Sequence, residues 1–199
     1  MIIPPYLNSG DRVAVVATAK VVDKNHTLSG ISKLKQWGLD VKLGKHLFEK
    51  HFQFAGTDAQ RAEDLQQAIN DTAIKAIFMV RGGYGSTRII DQIDYRPLLL
   101  HPKWICGFSD ITAFHLHLYR IGICSIHAPM PSFFYAIDDA SLHWYHHLLF
   151  GKIMYCRWQG THSICQANAV AGLPEATCHL FAIPSAPHRR LWLRATYCF

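Results

Sequence analysis

Apolar and polar positions along residues 1–130 follow the pattern of a layered α/β domain. Between the strand-like runs, apolar residues recur every three or four positions, as they do on one face of a helix. The pattern gives about five βα units and predicts a Rossmann-like or flavodoxin-like parallel sheet with helices on both faces. The predicted strands lie at residues 12–17, 39–43, 76–80, 104–107 and 123–127, and the unbroken apolar run at 76–80 is typical of a buried parallel strand.

Helix starts are marked as well. Thr57 and Gln60 have the spacing of a capping box, in which each residue satisfies a backbone N–H of the other. Ser109 or Asp110 is predicted to cap the helix after the fourth strand, and a short helix is predicted to begin near Ser86.

The end of the chain breaks this pattern. Residues 1–150 hold 15 basic and 13 acidic side chains, whereas residues 151–199 hold 5 and 1 and also contain four of the six cysteines. Neither a helical nor a strand period persists there. We therefore divide the chain into an α/β domain at 1–155 and an irregular, aberrant tail at 156–199.

Composition narrows the classes of function. Half of the residues are apolar, enough for a proper core. No window is long and apolar enough for a membrane span, and the start lacks a basic leader, so we expect a cytoplasmic protein with no membrane partner. The net charge of +6 comes mainly from the tail and lacks a recognition module, which argues against nucleic acid. The cysteine spacing fits free thiols, with no metal and no cofactor.

Candidate chemistry lies in the glycine-rich turn at 82–86, directly after the third apolar run. A nucleophilic serine needs an exposed hydroxyl, a general base and amides for the oxyanion. Small residues permit a tight turn that exposes Ser86, with the amide of Thr87 and that of Gly82 or Gly83 as oxyanion donors. Alternatively, Ser86 caps its helix and the glycines serve a tight connection. A third and weaker interpretation is that this turn is a phosphate-binding loop, because the G-x-G-x-x-G spacing is absent.

The histidines give a second, weaker signal. His143 and His147 have the i, i+4 spacing of a metal-binding pair, but without an H-E-x-x-H motif a packing or surface role is favoured. His127 ends a strand and is placed to face the pocket.

Several motifs together resemble one known family. The segments 80–88, 102–113 and 127–130, supported by 54–58 and 9–15, are similar to the LD-carboxypeptidases, also called muramoyltetrapeptide carboxypeptidases. The resemblance covers residues 1–150 in the family's order.

The resemblance implies a serine peptidase that acts during cell-wall recycling. Its substrate is a small peptide, an L,D-linked muropeptide, from which it removes the terminal D-alanine. It implies a Ser-His-Glu triad without metal, with Ser86 as the nucleophile. We add Gly83 and Thr87, from the turn itself, as the expected oxyanion donors. The family's Glu and His lie in a carboxyl-terminal domain with no counterpart here, so neither is assigned and little activity is expected of this chain alone. A homodimer of the full-length form stays open. The alternatives are a non-catalytic α/β protein that binds a ligand at the Gly82–Ser86 loop, and a structural protein.

The tail suggests a shifted reading frame. Permitted codons for residues 174–179, read from the third base, encode the Gly-Gly-Asn-Leu-Ser motif that the family carries after its first domain. The same offset over residues 157–166 gives a segment similar to the one that precedes the motif. We therefore expect a frameshift near Cys156, real or introduced during sequencing.

Overall fold

The computed structural model describes residues 1–152, 156–158 and 165–167. Five parallel strands form one sheet in the order β2-β1-β3-β4-β5. This is a flavodoxin-like order, which confirms the predicted fold class. The strands are β1 (Arg12–Val16), β2 (Asp40–Leu43), β3 (Ile74–Met79), β4 (Trp104–Gly107) and β5 (Ile126–His127).

Helices cover both faces of the sheet. On one face α1 and α6 pack against Val13, Val15 and Phe78, and on the other α2 to α5 pack against Val16 and Ile77. Both faces of the central strands β3 and β4 are buried, which is why their sequences are almost entirely apolar, whereas the edge strand β2 (DVKL) is largely exposed. The helices are α1 (Lys24–Gln36), α2 (Asp58–Asn70), α3 (Ser86–Ile89), α4 (Arg96–Leu100), α5 (Thr112–Arg120) and α6 (Asp139–Leu149).

The carboxyl ends of β1, β3 and β4 lie side by side at one edge. The strand order reverses between β1 and β3, because β2 lies outside β1 while the later strands follow on the other side. Ligands of open α/β sheets bind at such a reversal, so this edge is where a site is expected.

Several local predictions can be compared directly with the structure. The capping box of Thr57 and Gln60 is present at the start of α2. The last strand is shorter than expected, because only residues 126–127 pair with β4. The predicted cap by Ser109 or Asp110 is wrong: a 3-10 turn precedes α5, and its N-cap is Ile111. The sequence pattern also missed α4, whose first turn contains Pro97.

Little of the tail is described. Within it, β6 (Cys156–Trp158) pairs with β7 (Cys165–Ala167) in antiparallel fashion. The frameshift motif at 174–179 lies outside the described residues. In the described part the longest helices have 13 residues and mix charged with apolar side chains, so none qualifies as a membrane span.

Candidate active site

Ser86 does not expose its hydroxyl, and that expectation is wrong. The residue is 0% exposed, and its Oγ lies 3.3 Å from the Thr18 Oγ1. Ser86 is the first residue of α3, so the chain turns inward and packs this side chain against the end of β1. The helix-cap interpretation is also wrong, because the N-cap is Gly85 and makes no side-chain cap bond. The role of Ser86 as a nucleophile stays a prediction.

The amide of Ser86 has a defined acceptor. It donates to Oδ2 of Asp110, 2.9 Å away, and so links the turn after β3 to the turn after β4. Because a carboxylate takes this N–H, the amide does not point to a substrate oxygen.

A buried arginine anchors the same turn. Arg61 is 0% exposed, and its Nη1 donates to the carbonyl oxygens of Thr18 and Gly85, the latter at 3.0 Å. Its Nη2 pairs with the carboxylate of Asp58, which also accepts from Arg88. Burial lowers the pKa of Arg61, and the neighbouring Asp58 charge opposes that effect. Arg61 therefore holds the two backbone segments that flank Ser86, at Thr18 and at Gly85.

Ser109, which the sequence pattern suggested only as a cap, has the geometry expected of a nucleophile. It is exposed and lies between β4 and α5 at φ 60°, in the left-handed region. A non-glycine residue there is strained, and such strain concentrates at functional sites. A serine held on a sharp strand-to-helix turn is the arrangement of a nucleophile elbow. The signal in the sequence was Gly107-Phe108-Ser109, directly after a buried strand.

The two turns lie against each other. A methyl group added at Gly82 would stand 3.4 Å from both the Asp110 amide nitrogen and the Phe108 carbonyl oxygen. Gly83 follows at φ 113°, a conformation that favours glycine. Among the described residues, the amides of Gly83 and Asp110 donate to no acceptor. These two N–H groups are therefore available, that of Asp110 next to Ser109 in the chain and that of Gly83 next to the Gly82 that contacts this segment.

The two predicted oxyanion donors, Gly83 and Thr87, therefore lie in different parts of the structure. Gly83 lies in the turn that touches the Ser109–Asp110 segment, whereas Thr87 is an exposed residue of α3 beyond Ser86. No contact described for the chain joins Thr87 to Ser109. The roles of both residues as donors stay predictions.

Two histidines lie beneath the Ser109 turn. His115 Nε2 is 2.9 Å from the Gly107 carbonyl oxygen, and its Nδ1 is 2.8 Å from Ser125 Oγ. A carbonyl only accepts, so Nε2 carries the proton and Nδ1 accepts from the hydroxyl. Burial lowers the pKa of His115 to about 4, so it is neutral at pH 7. His127 lies opposite Gly107 in the sheet, with its ring 5.8 Å from that of His115, and burial lowers its pKa too.

His143 and His147, the candidate metal pair, contact each other in the structure. The rings of His143 and His147 lie 3.9 Å apart on α6, and His147 Nδ1 is 2.9 Å from the His143 carbonyl oxygen. Within the described residues, no three His, Cys, Asp or Glu side chains group closely enough to hold a metal ion.

Comparisons with known proteins match the α/β part of the chain to carboxypeptidases. The family model described as the LD-carboxypeptidase N-terminal domain matches residues 13–128. A Bacillus subtilis protein named as a murein peptide carboxypeptidase is 38% identical over 137 residues, which cover 68% of this chain and 43% of that protein. The murein tetrapeptide carboxypeptidase of Pseudomonas aeruginosa is 33% identical over 122 residues, covering 61% and 40%.

A solved structure shows the same fold. The muramoyltetrapeptide carboxypeptidase of Oxalobacter formigenes superposes with a TM-score of 0.63 and 25% identity, over 69% of this chain and 47% of that one. The chain therefore spans less than half the length of the curated relatives described above.

Proposed function

This chain belongs to the LD-carboxypeptidase N-terminal domain family, and on that premise we propose that it is the nucleophile-bearing part of a serine carboxypeptidase. Its substrate is a muropeptide, from which it releases the terminal D-alanine across an L,D-amide bond in the cytoplasm. The single observation that carries the proposal is Ser109, exposed at φ 60° on the turn between β4 and α5. The names of the relatives as murein peptide carboxypeptidases support the substrate class.

The reaction uses the two available amides. Ser109 Oγ attacks the carbonyl carbon, and the carbonyl oxygen becomes an oxyanion that accepts from the N–H groups of Gly83 and Asp110. A general base accepts the Ser109 hydroxyl proton and donates it to the leaving amine as the C–N bond breaks. Water, deprotonated by the same base, then hydrolyses the acyl-serine, and the serine oxygen takes that proton back. We assign Ser109 rather than Ser86 to the attack, because the Ser86 hydroxyl is enclosed and its amide is bound by Asp110.

We place the general base outside the described residues. His115 is a poor base for Ser109, since both ring nitrogens are hydrogen-bonded and its pKa is about 4. The catalytic Glu and His that the family resemblance implies belong to a carboxyl-terminal domain. We further propose that the tail at 156–199 replaces that domain through a shifted reading frame, so this chain alone has little activity.

The nucleotide sequence tests the frame proposal. A single-base correction near Cys156 should open a reading frame that encodes a second domain. If no such correction restores one, the proposal fails.

The test of the nucleophile is labelling by a serine-directed fluorophosphonate, followed by peptide mass spectrometry. The labelled protein is the frame-restored chain, which carries the general base, and this chain is run beside it as the control that should take little label. We expect the label on Ser109, its loss in Ser109→Ala and its retention in the matched control Ser86→Ala. Label on Ser86 that survives Ser109→Ala would establish Ser86 instead. A frame-restored chain that takes no label and releases no D-alanine would favour the alternative, a ligand-binding protein that uses the Gly82–Ser86 loop.

A further inference from the structure

Two cationic side chains lie on adjacent loops at the reversal of strand order. Lys20 is on the loop after β1, and Arg81 is on the loop after β3. The Lys20 amide donates to the Gly82 carbonyl oxygen at 3.4 Å, and the Arg81 Nη1 donates to the Val21 carbonyl oxygen at 2.7 Å. Each loop thus donates one hydrogen bond to the other, which holds together the two loops that carry these cations, at the edge where α/β sheets bind their ligands.

The Lys20 side chain lies along Gly83. A methyl group added at Gly83 would stand 2.7 Å from Lys20 Cδ and 3.2 Å from Cε. Close approach of the lysine stem is thus a second reason, besides φ 113°, for glycine at this position. The ammonium is attached directly to Cε, so it lies beside the turn whose amide we assign to the oxyanion.

Neither cation has an acidic partner in the described part of the chain. No ion pair there includes Lys20 or Arg81, although both side chains are half-buried. The nearby carboxylates are engaged elsewhere: Asp58 pairs with two arginines, and Asp110 accepts the Ser86 amide. Unpaired cations at a ligand-binding edge attract an anionic ligand group.

We propose that Lys20 and Arg81 bind the free carboxylate of the peptide's terminal residue. The inference rests on the proposed function, and it specifies how that site recognises a chain end. In a carboxypeptidase substrate, only a nitrogen and one carbon separate the carbonyl under attack from the terminal carboxylate carbon. The carboxylate receptor must therefore adjoin the oxyanion donors, as Lys20 adjoins Gly83. Lysine supplies a point charge, and arginine supplies the further N–H donors that remain after Nη1 bonds Val21.

Binding of a matched ligand pair tests this without requiring turnover. A muramoyl tetrapeptide ending in D-alanine and its C-terminal amide are titrated calorimetrically into the full chain. We expect the wild type to bind the acid at least tenfold more tightly than the amide. Lys20→Met should reduce affinity for the acid about tenfold and leave the amide unchanged, whereas Lys20→Arg should keep the preference. Lys35→Met, at an exposed position of α1, is the matched control and should behave as the wild type.

The outcomes separate the inference from the proposed function. Two outcomes overturn the carboxylate site: a wild type that does not prefer the acid, or a preference that persists in Lys20→Met. Both do so regardless of which serine the fluorophosphonate labels. Loss of preference in Lys20→Met with no label on Ser109 supports the carboxylate site and removes the nucleophile assignment. Circular dichroism melting of each variant checks that the fold is kept, and Arg81→Met provides a second, independent loss of the same preference.

Discussion

The two serine turns at the carboxyl edge differ in almost every physical property. The turn after β3 contains three glycines, and Ser86 in it is buried, with its amide bound by Asp110. The turn after β4 begins with one glycine, and Ser109 in it is exposed and strained at φ 60°. The glycine-rich turn supplies backbone, whereas the other turn presents a side chain. Many glycines indicate close approach of the main chain, which is a different requirement from exposing a nucleophile.

Each turn is also held by a buried side chain from a helix beside it. Arg61 of α2 donates to the carbonyls of Thr18 and Gly85, and His115 of α5 donates to that of Gly107. The first anchor is charged and the second is neutral, so the two turns should respond differently to substitution and to pH.

The largest expected effect distinguishes the two serines in turnover. In the frame-restored protein, Ser109→Ala should lower D-alanine release by on the order of 10⁵-fold or more, the size seen when a triad loses its nucleophile. Ser86→Ala should change release by less than about tenfold, since it loses one hydroxyl hydrogen bond. Release is measured by chromatography of the product. Comparable losses in both variants would erase the proposed difference.

The second effect concerns the anchor of the first turn. Arg61→Met leaves Asp58 with one fewer partner and two carbonyls unsatisfied, so we expect a loss of about 3–5 kcal/mol in the free energy of unfolding. Arg88→Met removes the exposed partner of the same carboxylate and should cost less than about 1 kcal/mol. Urea unfolding measures both. Equal losses would show that Arg61 is not the anchor.

The third effect is a pH dependence carried by the second anchor. The folded-state pKa of His115 is about 4, below its ordinary value of 6.5, because burial disfavours the cation. Its contribution to stability is therefore fully present above pH 6.5 and is lost as the pH falls towards 4. The shift corresponds to about 3 kcal/mol. Unfolding of the wild type and of His115→Gln from pH 7.5 to 4 measures it, and a glutamine variant that loses stability just as steeply would contradict the assignment.

The smallest effect tests the strain itself. Ser109→Gly removes the side chain from a left-handed position and should stabilise the fold by about 1 kcal/mol while abolishing turnover. Ser86→Gly, in a helical position, should destabilise it by about 1 kcal/mol. Thermal melting compares them. If both changes are destabilising, Ser109 is not under strain.

The sequence predicted the sheet well, because strands buried on both faces leave apolar runs such as 76–80 that need no tertiary information. The capping box at Thr57 was equally local. The site was harder, because neither the sign of φ at Ser109 nor the burial of Ser86 follows from spacing. Both depend on how β1, β3 and β4 meet, and β1 contacts β3 only after about 60 intervening residues. The packing of Lys20 on Gly83 is of the same kind, since two loops far apart in sequence create it.

The central position of β1 also has a consequence for how the chain acquires its structure. β1 pairs with β2 on one side and with β3 on the other, so its hydrogen bonding is incomplete until Met79 has been synthesised. Contacts between segments so distant in sequence slow folding, because a long loop must close before they form. During translation the first half of the polypeptide therefore emerges with an open, apolar strand edge, and a nascent chain halted before β3 should depend on chaperones.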